Sequence, residues 1–157
     1  LGGYMMKKIT SFTIDHIKLI PGVYVSRKDT VGAEIITTFD IRMTSPNDEP
    51  VMNTAEMHTV EHLAATFLRN HADYKDKTIY FGPMGCRTGF YMVTWGEHDV
   101  SEIIDIVTYT LEKVLEDTEI PAMNEIQCGN YKLHSIELAK KYAKDVLDKG
   151  LSDKVFG

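Results

Sequence analysis

The stretch HTVEHL, residues 58–63, has two histidines four positions apart and a glutamate directly before the second. In a helix, residues i and i+4 lie on the same face, so His58 and His62 can turn their imidazoles toward one point. Glu61 lies three residues after His58 and flanks the same face. Two imidazoles and a carboxylate are the groups that a metal site with acid–base chemistry requires. HTVEHL therefore predicts a metal-binding helix.

The flanking sequence predicts one α+β domain over residues 1–157, with residues 1–5 read as a leader or as residues added before a natural start at Met6. The metal-binding helix should begin at Asn53 or Thr54 as N-cap and end near residues 70–71. Further predicted elements are helices over 100–116 and 134–149, strands over 31–43, 77–81 and 90–96, and a glycine-rich loop over 82–89. This order predicts a mostly antiparallel sheet packed against helices, with the metal site on the central helix.

Composition restricts the classes of partner. The chain has 157 residues, 43% hydrophobic and 25% charged, with a formal net charge of −6, which is typical of a globular domain. It has no Lys/Arg run of the kind that binds phosphates, so we expect neither nucleic acid nor membrane as a partner. No apolar stretch approaches the ~20 residues of a membrane span. Because LGGYMMKK does not have the order of a signal peptide, we expect a cytoplasmic protein with reduced cysteines.

The third metal ligand has several candidates, which are Cys86, Cys128, His134 and the glutamates. Two imidazoles and one thiolate would leave a tetrahedral metal an open fourth position, as in catalytic sites. Spacing alone does not decide between the cysteines, each of which could instead be a small buried residue or half of a disulfide. Without further information, His134 is grouped with His71 and His98 as structural or solvent-exposed.

Two other functions are compatible with the same motif. His-x-x-Glu-His also occurs in zinc peptidases, where a distant glutamate completes the ligand set, and Glu137 could fill that place. Such peptidases are built from larger domains. A metal-stabilised interaction module is the non-enzymatic alternative. It would close the coordination shell with a fourth protein ligand such as Cys86, whereas an open fourth position favours an enzyme.

Five separated blocks resemble S-ribosylhomocysteine lyases, the LuxS family that makes the precursor of autoinducer-2 and is linked to quorum sensing. The blocks are SFTIDH (11–16), FDIR (39–42), HTVEHL (58–63), PMGCRTGFY (83–91) and NEIQCG (124–129). Their shared order across the chain makes the resemblance specific.

The resemblance implies a role for eight residues. It implies that His58, His62 and Cys128 bind the metal. Glu61 and Cys86 match the two general acid–base residues. Ser11, His16 and Arg42 match positions that line the substrate pocket. For Arg42, the alternative without the family is a surface ion pair.

The resemblance also implies an activity and an assembly. Family members cleave S-ribosylhomocysteine to homocysteine and 4,5-dihydroxy-2,3-pentanedione, by aldose–ketose proton shifts followed by β-elimination. Each subunit holds one divalent metal, Fe²⁺ in cells and Zn²⁺ or Co²⁺ in preparations. The family is a homodimer with two sites at the interface, each built from both chains. This chain differs from the family pattern at Tyr80, Gly82 and Leu138, where an acidic residue, Ser and Gly are usual.

Overall fold

The computed structural model describes residues 16, 18–116, 120, 123–130 and 132–154. Four strands, β1 (Gly22–Val31), β2 (Glu34–Arg42), β3 (Thr78–Pro83) and β4 (Gly89–Trp95), form one sheet in the order β1-β2-β4-β3. All three strand pairs are antiparallel. The helices are α1 (Thr54–Asn70), α2 (Val100–Glu116) and α3 (Ile136–Lys149). The predicted α+β architecture, an antiparallel sheet packed against helices, is confirmed.

The strand predicted over residues 31–43 is in fact the second half of a hairpin. Val31 ends β1, and β2 begins at Glu34 after a turn in which Gly32 has a φ of +62°. That conformation is accessible to glycine without a Cβ clash. The sequence prediction missed β1 because Pro21 and Gly22 read as a turn, and because the second half of this edge strand is charged and largely exposed. Only its first residues carry the alternating apolar pattern of a half-buried strand.

Helix α1 begins where the sequence predicts. Asn53 is its N-cap: the Asn53 side-chain oxygen accepts a hydrogen bond from the Glu56 backbone N–H at 2.9 Å, and the Asn53 N–H donates to the Glu56 carboxylate at 2.7 Å. This reciprocal capping box satisfies two backbone donors that the first turn would otherwise leave unpaired. The register of α1, and so the direction of its histidines, is set at this end.

The core lies between one face of the sheet and the three helices. Strand side chains alternate between faces, and the helix-facing positions of β2 are Phe39 and Ile41, both fully buried. Helix α1 packs on β3, α2 packs on β1, and the three helices pack on one another. The opposite face of the sheet carries Tyr24 and Tyr91 at the positions paired with Asp40. The sheet therefore separates a helical side from a second, more polar side.

Helix α3 begins two residues later than predicted. Ser135 is its N-cap and accepts a hydrogen bond from the Leu138 N–H at 3.2 Å. His134 therefore precedes the helix instead of forming its first turn. After α3, Ser152 pairs with the first residues of β1 through backbone hydrogen bonds, which include one from the Val23 N–H at 2.9 Å. None of the described helices is long and apolar enough to cross a lipid bilayer.

Two departures from the family pattern lie against each other on β3. A Cβ placed on Gly82 would overlap the Tyr80 hydroxyl oxygen and the ring carbon that bears it. The Tyr80 ring thus covers the Gly82 backbone on an edge strand and remains about half exposed. Any side chain at position 82 would require the ring to move, so the two residues form a matched pair.

Candidate metal centre and thiol site

His58 and His62 point toward one cluster from successive turns of α1. Their ring centres are 4.5 Å apart and nearly perpendicular, with an interplanar angle of 84°. His58 Nδ1 lies 2.6 Å from the carbonyl oxygen of Leu133. A carbonyl only accepts, so Nδ1 of a neutral His58 carries the proton and Nε2 presents a lone pair. This is the tautomer of a metal-ligating histidine whose other nitrogen is held by a backbone carbonyl.

Cys128 reaches the histidines from a segment far along the chain. Its Sγ lies 3.3 Å from His58 Nε2, although the two residues are 70 positions apart. The Asn130 N–H points at the same sulfur at 3.4 Å, and the Cys128 N–H donates to the carbonyl of Asn124. Both cysteines of the chain, Cys86 and Cys128, are free thiols, so the alternative of a disulfide is wrong.

A third histidine, His134, joins this cluster. The donor atoms of His58, His62, Cys128 and His134 all lie within 4.8 Å of one another. The His134 ring stacks on that of His58, with centres 3.9 Å apart and an interplanar angle of 21°. Burial and the neighbouring imidazoles of His58 and His62 lower the pKa of His134 to about 4. The structure thus places His134, which the sequence grouped with structural or solvent-exposed histidines, half-buried among the candidate ligands.

The donor types fit a divalent transition metal. Imidazole nitrogen and thiolate sulfur together suit Zn²⁺, Fe²⁺ or Co²⁺, whereas Mg²⁺ and Ca²⁺ prefer oxygen. Within the described ranges, this set of four is the one group of histidine, cysteine and acidic side chains close enough to hold a metal ion. It contains no glutamate, and Glu137 lies exposed on α3. The group of four therefore lacks the glutamate ligand that a peptidase site would need. It also lacks Cys86, the fourth ligand suggested for a metal-stabilised interaction module.

The second functional group surrounds Cys86, in the loop between β3 and β4. Cys86 Sγ lies 3.1 Å from the Thr88 hydroxyl, which accepts a hydrogen bond from the Arg42 guanidinium at 2.7 Å. The same guanidinium nitrogen lies 3.9 Å from Sγ. Partial burial raises the pKa of the Cys86 thiol, but the hydrogen bonds with Thr88 and the charge of Arg42 outweigh it and lower the pKa below its usual value. Cys86 is exposed, so its sulfur is accessible to a reaction partner.

Arg42 is held rigidly in this group. It is 1% exposed, and it donates to the Asp40 carboxylate at 2.6 Å. Tyr24 donates to the same carboxylate oxygen at 2.7 Å. Burial raises the pKa of Asp40, and Arg42, Tyr24 and half-buried His16 offset that rise in part. The alternative of a surface ion pair for Arg42 is wrong, because both partners are buried.

Comparison with known proteins identifies the family. The profile of the family described as S-Ribosylhomocysteinase (LuxS) matches residues 9–156. The chain belongs to the LuxS family. A protein of Clostridium beijerinckii named S-ribosylhomocysteine lyase is 54% identical over 147 residues, covering 90% of this chain and 92% of the relative. A Phocaeicola vulgatus protein of the same name is 47% identical over 156 residues, covering 96% and 97%.

The LuxS residues singled out in the sequence thus lie in two places. His58, His62 and Cys128 come together at the cluster between α1 and the segment before α3. Arg42 and Cys86 come together near the opposite face of the sheet, where the charge of His16 also reaches Asp40. Glu61 lies half-buried on α1, next to His62. Ser11 lies outside the described residues.

Sequence reasoning missed three residues of the group around Cys86. Thr88, Asp40 and Tyr24 surround Arg42 and Cys86, yet none of the three has a sequence signal of its own. The nearest signals were that Thr88 follows Cys86 by two positions and that Asp40 lies within FDIR. His134 had one signal, because it was among the candidates for the third ligand.

Proposed function

We propose that this protein cleaves the thioether of S-ribosylhomocysteine, giving homocysteine and 4,5-dihydroxy-2,3-pentanedione, the precursor of autoinducer-2. The observation that carries the proposal is the His58–His62–Cys128 donor set in a LuxS chain whose relatives are named S-ribosylhomocysteine lyase. The reaction needs no redox cofactor. Two proton shifts move the sugar carbonyl along the chain, and loss of a proton next to that carbonyl then expels the thiolate of homocysteine.

The donor set has a defined chemical task in this reaction. A divalent metal held by His58, His62 and Cys128 would supply Lewis-acid stabilisation of the negative charge that develops on substrate oxygens. His58 is prepared for this task, because the Leu133 carbonyl fixes its tautomer and ring direction. We propose Fe²⁺ as the metal in cells and Zn²⁺ or Co²⁺ as functional replacements, one ion per subunit, since all three accept imidazole and thiolate ligands.

Cys86 and Glu61 are the proposed proton carriers. The lowered pKa of Cys86 favours a thiolate that removes a proton from sugar carbon and returns it to the neighbouring carbon. Glu61 lies on the ligand helix directly before His62, where its carboxylate can exchange protons with substrate oxygen and take the last proton before elimination. Each general acid–base group is typically worth ~10²–10⁴ in rate.

Ser11, His16 and Arg42 are the proposed substrate-binding residues. Arg42 supports this role by its position, since its guanidinium bridges buried Asp40 and the Cys86–Thr88 pair. A rigid guanidinium beside the thiolate can orient substrate hydroxyl groups without losing side-chain entropy on binding. His16 is near enough to Asp40 for its charge to affect that carboxyl. Ser11 is proposed from the family resemblance alone.

We also propose that the chain acts as one lyase domain that pairs as a homodimer, with two active sites at the interface. The metal donors lie on the helical side of the molecule, and the Arg42 network lies on the other face of the sheet. Pairing with a second copy would bring the metal donors of one subunit to the Cys86 group of its partner. Two free thiols, one of them a proposed metal ligand, fit a reducing compartment such as the cytoplasm.

The test is release of homocysteine from S-ribosylhomocysteine by protein loaded with Co²⁺, followed with a thiol reagent. We expect turnover by the wild type, loss of at least ~10²-fold in Cys86→Ala, and a similar loss in Glu61→Gln, with metal content unchanged in both variants. His62→Ala should lose metal and activity together, because it removes a proposed ligand.

Two results would contradict the proposal. Metal-loaded wild type that releases no thiol would remove S-ribosylhomocysteine as the substrate. Turnover at the wild-type rate in Cys86→Ala or in Glu61→Gln would remove that residue from proton transfer, while the substrate assignment would stand.

A further inference from the structure

His134 differs from His58 in the partner of its Nδ1 atom. His134 Nδ1 lies 3.0 Å from the hydroxyl oxygen of Thr59, which already accepts a hydrogen bond from the Ser135 N–H at 2.9 Å. Among the described residues, His134 Nδ1 is the one acceptor in reach of the Thr59 hydroxyl proton. Thr59 is fully buried, so an unsatisfied hydroxyl proton would be costly there. Thr59 therefore donates to Nδ1, and the ring proton of neutral His134 is on Nε2.

An imidazole that carries its proton on Nε2 cannot bind a metal through that nitrogen. It can only donate a hydrogen bond. His134 Nε2 is buried, and within the described part of the chain it has no hydrogen-bond partner. Because Thr59 engages Nδ1, Nε2 is the nitrogen that His134 offers to the cluster with His58, His62 and Cys128.

The ring geometry bears on whether His134 can share a metal with His58. Two imidazoles bound to one tetrahedral metal by ~2.1 Å bonds would hold their ring centres roughly 5 Å apart. His58 and His62, at 4.5 Å, are close to this, and so are His62 and His134, at 4.7 Å. The stacked pair, His58 and His134, is at 3.9 Å and nearly parallel. Stacked rings direct their nitrogens side by side instead of toward a common point, so these two rings do not suit joint coordination.

We propose that His134 is the hydrogen-bond donor of the metal centre, not its fourth ligand, and that its Nε2–H binds a substrate oxygen brought to the open coordination position. Thr59 is the positioning residue that fixes the required tautomer. The segment Leu133–Ser135 fastens this arrangement to α1, since its carbonyl holds His58 and its backbone N–H holds Thr59. The presence of His134 in the cluster is therefore compatible with an enzyme whose metal keeps its fourth coordination position open for substrate.

This inference rests on the proposed function, and its test has readouts independent of turnover. The probe is Co²⁺, whose visible absorption reports coordination number and ligand type. The variants are His134→Leu, which removes the donor, His134→Gln, whose amide restores one, and His62→Leu, which removes a ligand. Metal content, the absorption band before and after adding S-ribosylhomocysteine, kcat and KM are measured for each.

We expect His134→Leu to keep one Co²⁺ per chain and the wild-type band without substrate, while kcat falls by about 10²-fold, the usual cost of one lost donor to a developing oxyanion. The band shift caused by substrate should change in His134→Leu, and His134→Gln should recover much of kcat. Thr59→Val should lower kcat more than Thr59→Ser, which retains the hydroxyl.

Two outcomes would overturn the inference. Loss of Co²⁺ or of the band in His134→Leu, as in His62→Leu, would make His134 a ligand. Unchanged kcat and substrate response in His134→Leu would make it a packing residue. Failure of the proposed function is distinct from both, since it would show as no thiol release by Co²⁺-loaded wild type.

Discussion

At the scale of single residues, the chemistry of Cys86 depends on two neighbours. The Arg42 guanidinium donates to the Thr88 hydroxyl oxygen, which leaves the Thr88 proton to stabilise the sulfur. The charge of Arg42 acts in the same direction. Hydrogen bonding to a charged form and a nearby opposite charge both favour that form, so the two neighbours lower the pKa of Cys86 in spite of partial burial.

We predict that Thr88→Val raises the pKa of Cys86, because it removes the hydrogen bond while keeping the size and shape of the side chain. Since the wild-type pKa is lowered, the thiolate of Cys86 persists to lower pH than that of an ordinary cysteine. In Thr88→Val, the onset of thiolate reactivity should move to higher pH. Alkylation by iodoacetamide as a function of pH, resolved at Cys86 by peptide mass spectrometry, measures this.

Thr88→Ser is the matched control, since it retains the hydroxyl and should retain the wild-type pH profile. Identical profiles for Thr88→Val and wild type would assign the lowered pKa to Arg42 and to the backbone N–H groups of Cys86 and Thr88.

At the scale of elements, α1 carries both histidines that are proposed to bind the metal, and its N-terminal cap sets their direction. The capping box of Asn53 and Glu56 joins the helix to the chain segment that follows β2. Beside the cluster, two hydrogen bonds join α1 to the segment before α3. His58 Nδ1 bonds to the Leu133 carbonyl, and the Ser135 N–H donates to the Thr59 hydroxyl oxygen. A helix whose start and middle are both fixed presents its side chains with little loss of freedom on metal binding.

We predict that Asn53→Ala lowers the free energy of unfolding by about 1 kcal/mol, the usual cost of losing an N-cap side chain. Urea denaturation of the metal-free protein measures the effect without the contribution of metal binding. Asn53→Asp is the matched control, because an aspartate accepts the same hydrogen bond from Glu56 N–H and should remain within a few tenths of a kcal/mol of wild type. Equal losses in the two variants would show that the capping side chain contributes nothing measurable.

At the scale of the whole molecule, the sheet separates the two groups of proposed catalytic residues. Phe39 and Ile41 face the helices, and Asp40 and Arg42, which alternate with them along β2, face the other side. The metal donors belong to the helical side. A dimer that joins the two sides would give each active site residues from both chains, as the proposed function requires.

We predict that co-expression of Cys86→Ala with His62→Ala restores activity that neither variant has alone. If Cys86 and the metal donors of one site come from different subunits, a mixed dimer contains one intact site and one site with both defects. Purified mixed dimers would then give up to about half of wild-type thiol release. The measurement is thiol release by mixed dimers purified with two different affinity tags.

Each variant expressed alone gives the background, and the wild type purified through the same two tags gives the upper limit. Mixed dimers that are as inactive as the single variants would show that each active site takes both groups from one chain.

Much of the fold and site could be predicted from local sequence. The i, i+4 histidines, the apolar spacing and the Asn53 cap predicted α1 correctly, because a helix brings near neighbours in sequence together whatever the rest of the chain does. The antiparallel sheet, α2 and the free thiols were also predicted correctly. β1 was missed, since only the tertiary structure pairs its charged outer half with β2. The position of His134 beside His58 was not predicted, since nothing local distinguishes it from an exposed histidine.

The sequence by itself therefore determined the histidine pair on one face of α1, the fold class and, through its five blocks, the family. Tertiary structure decided which thiol meets that pair, because Cys128 and His58 are 70 positions apart and spacing along the chain does not report such contacts. It also decided the tautomers of His58 and His134. These depend on whether a carbonyl or a hydroxyl faces each Nδ1, and only the packing of the segment before α3 against α1 places those groups.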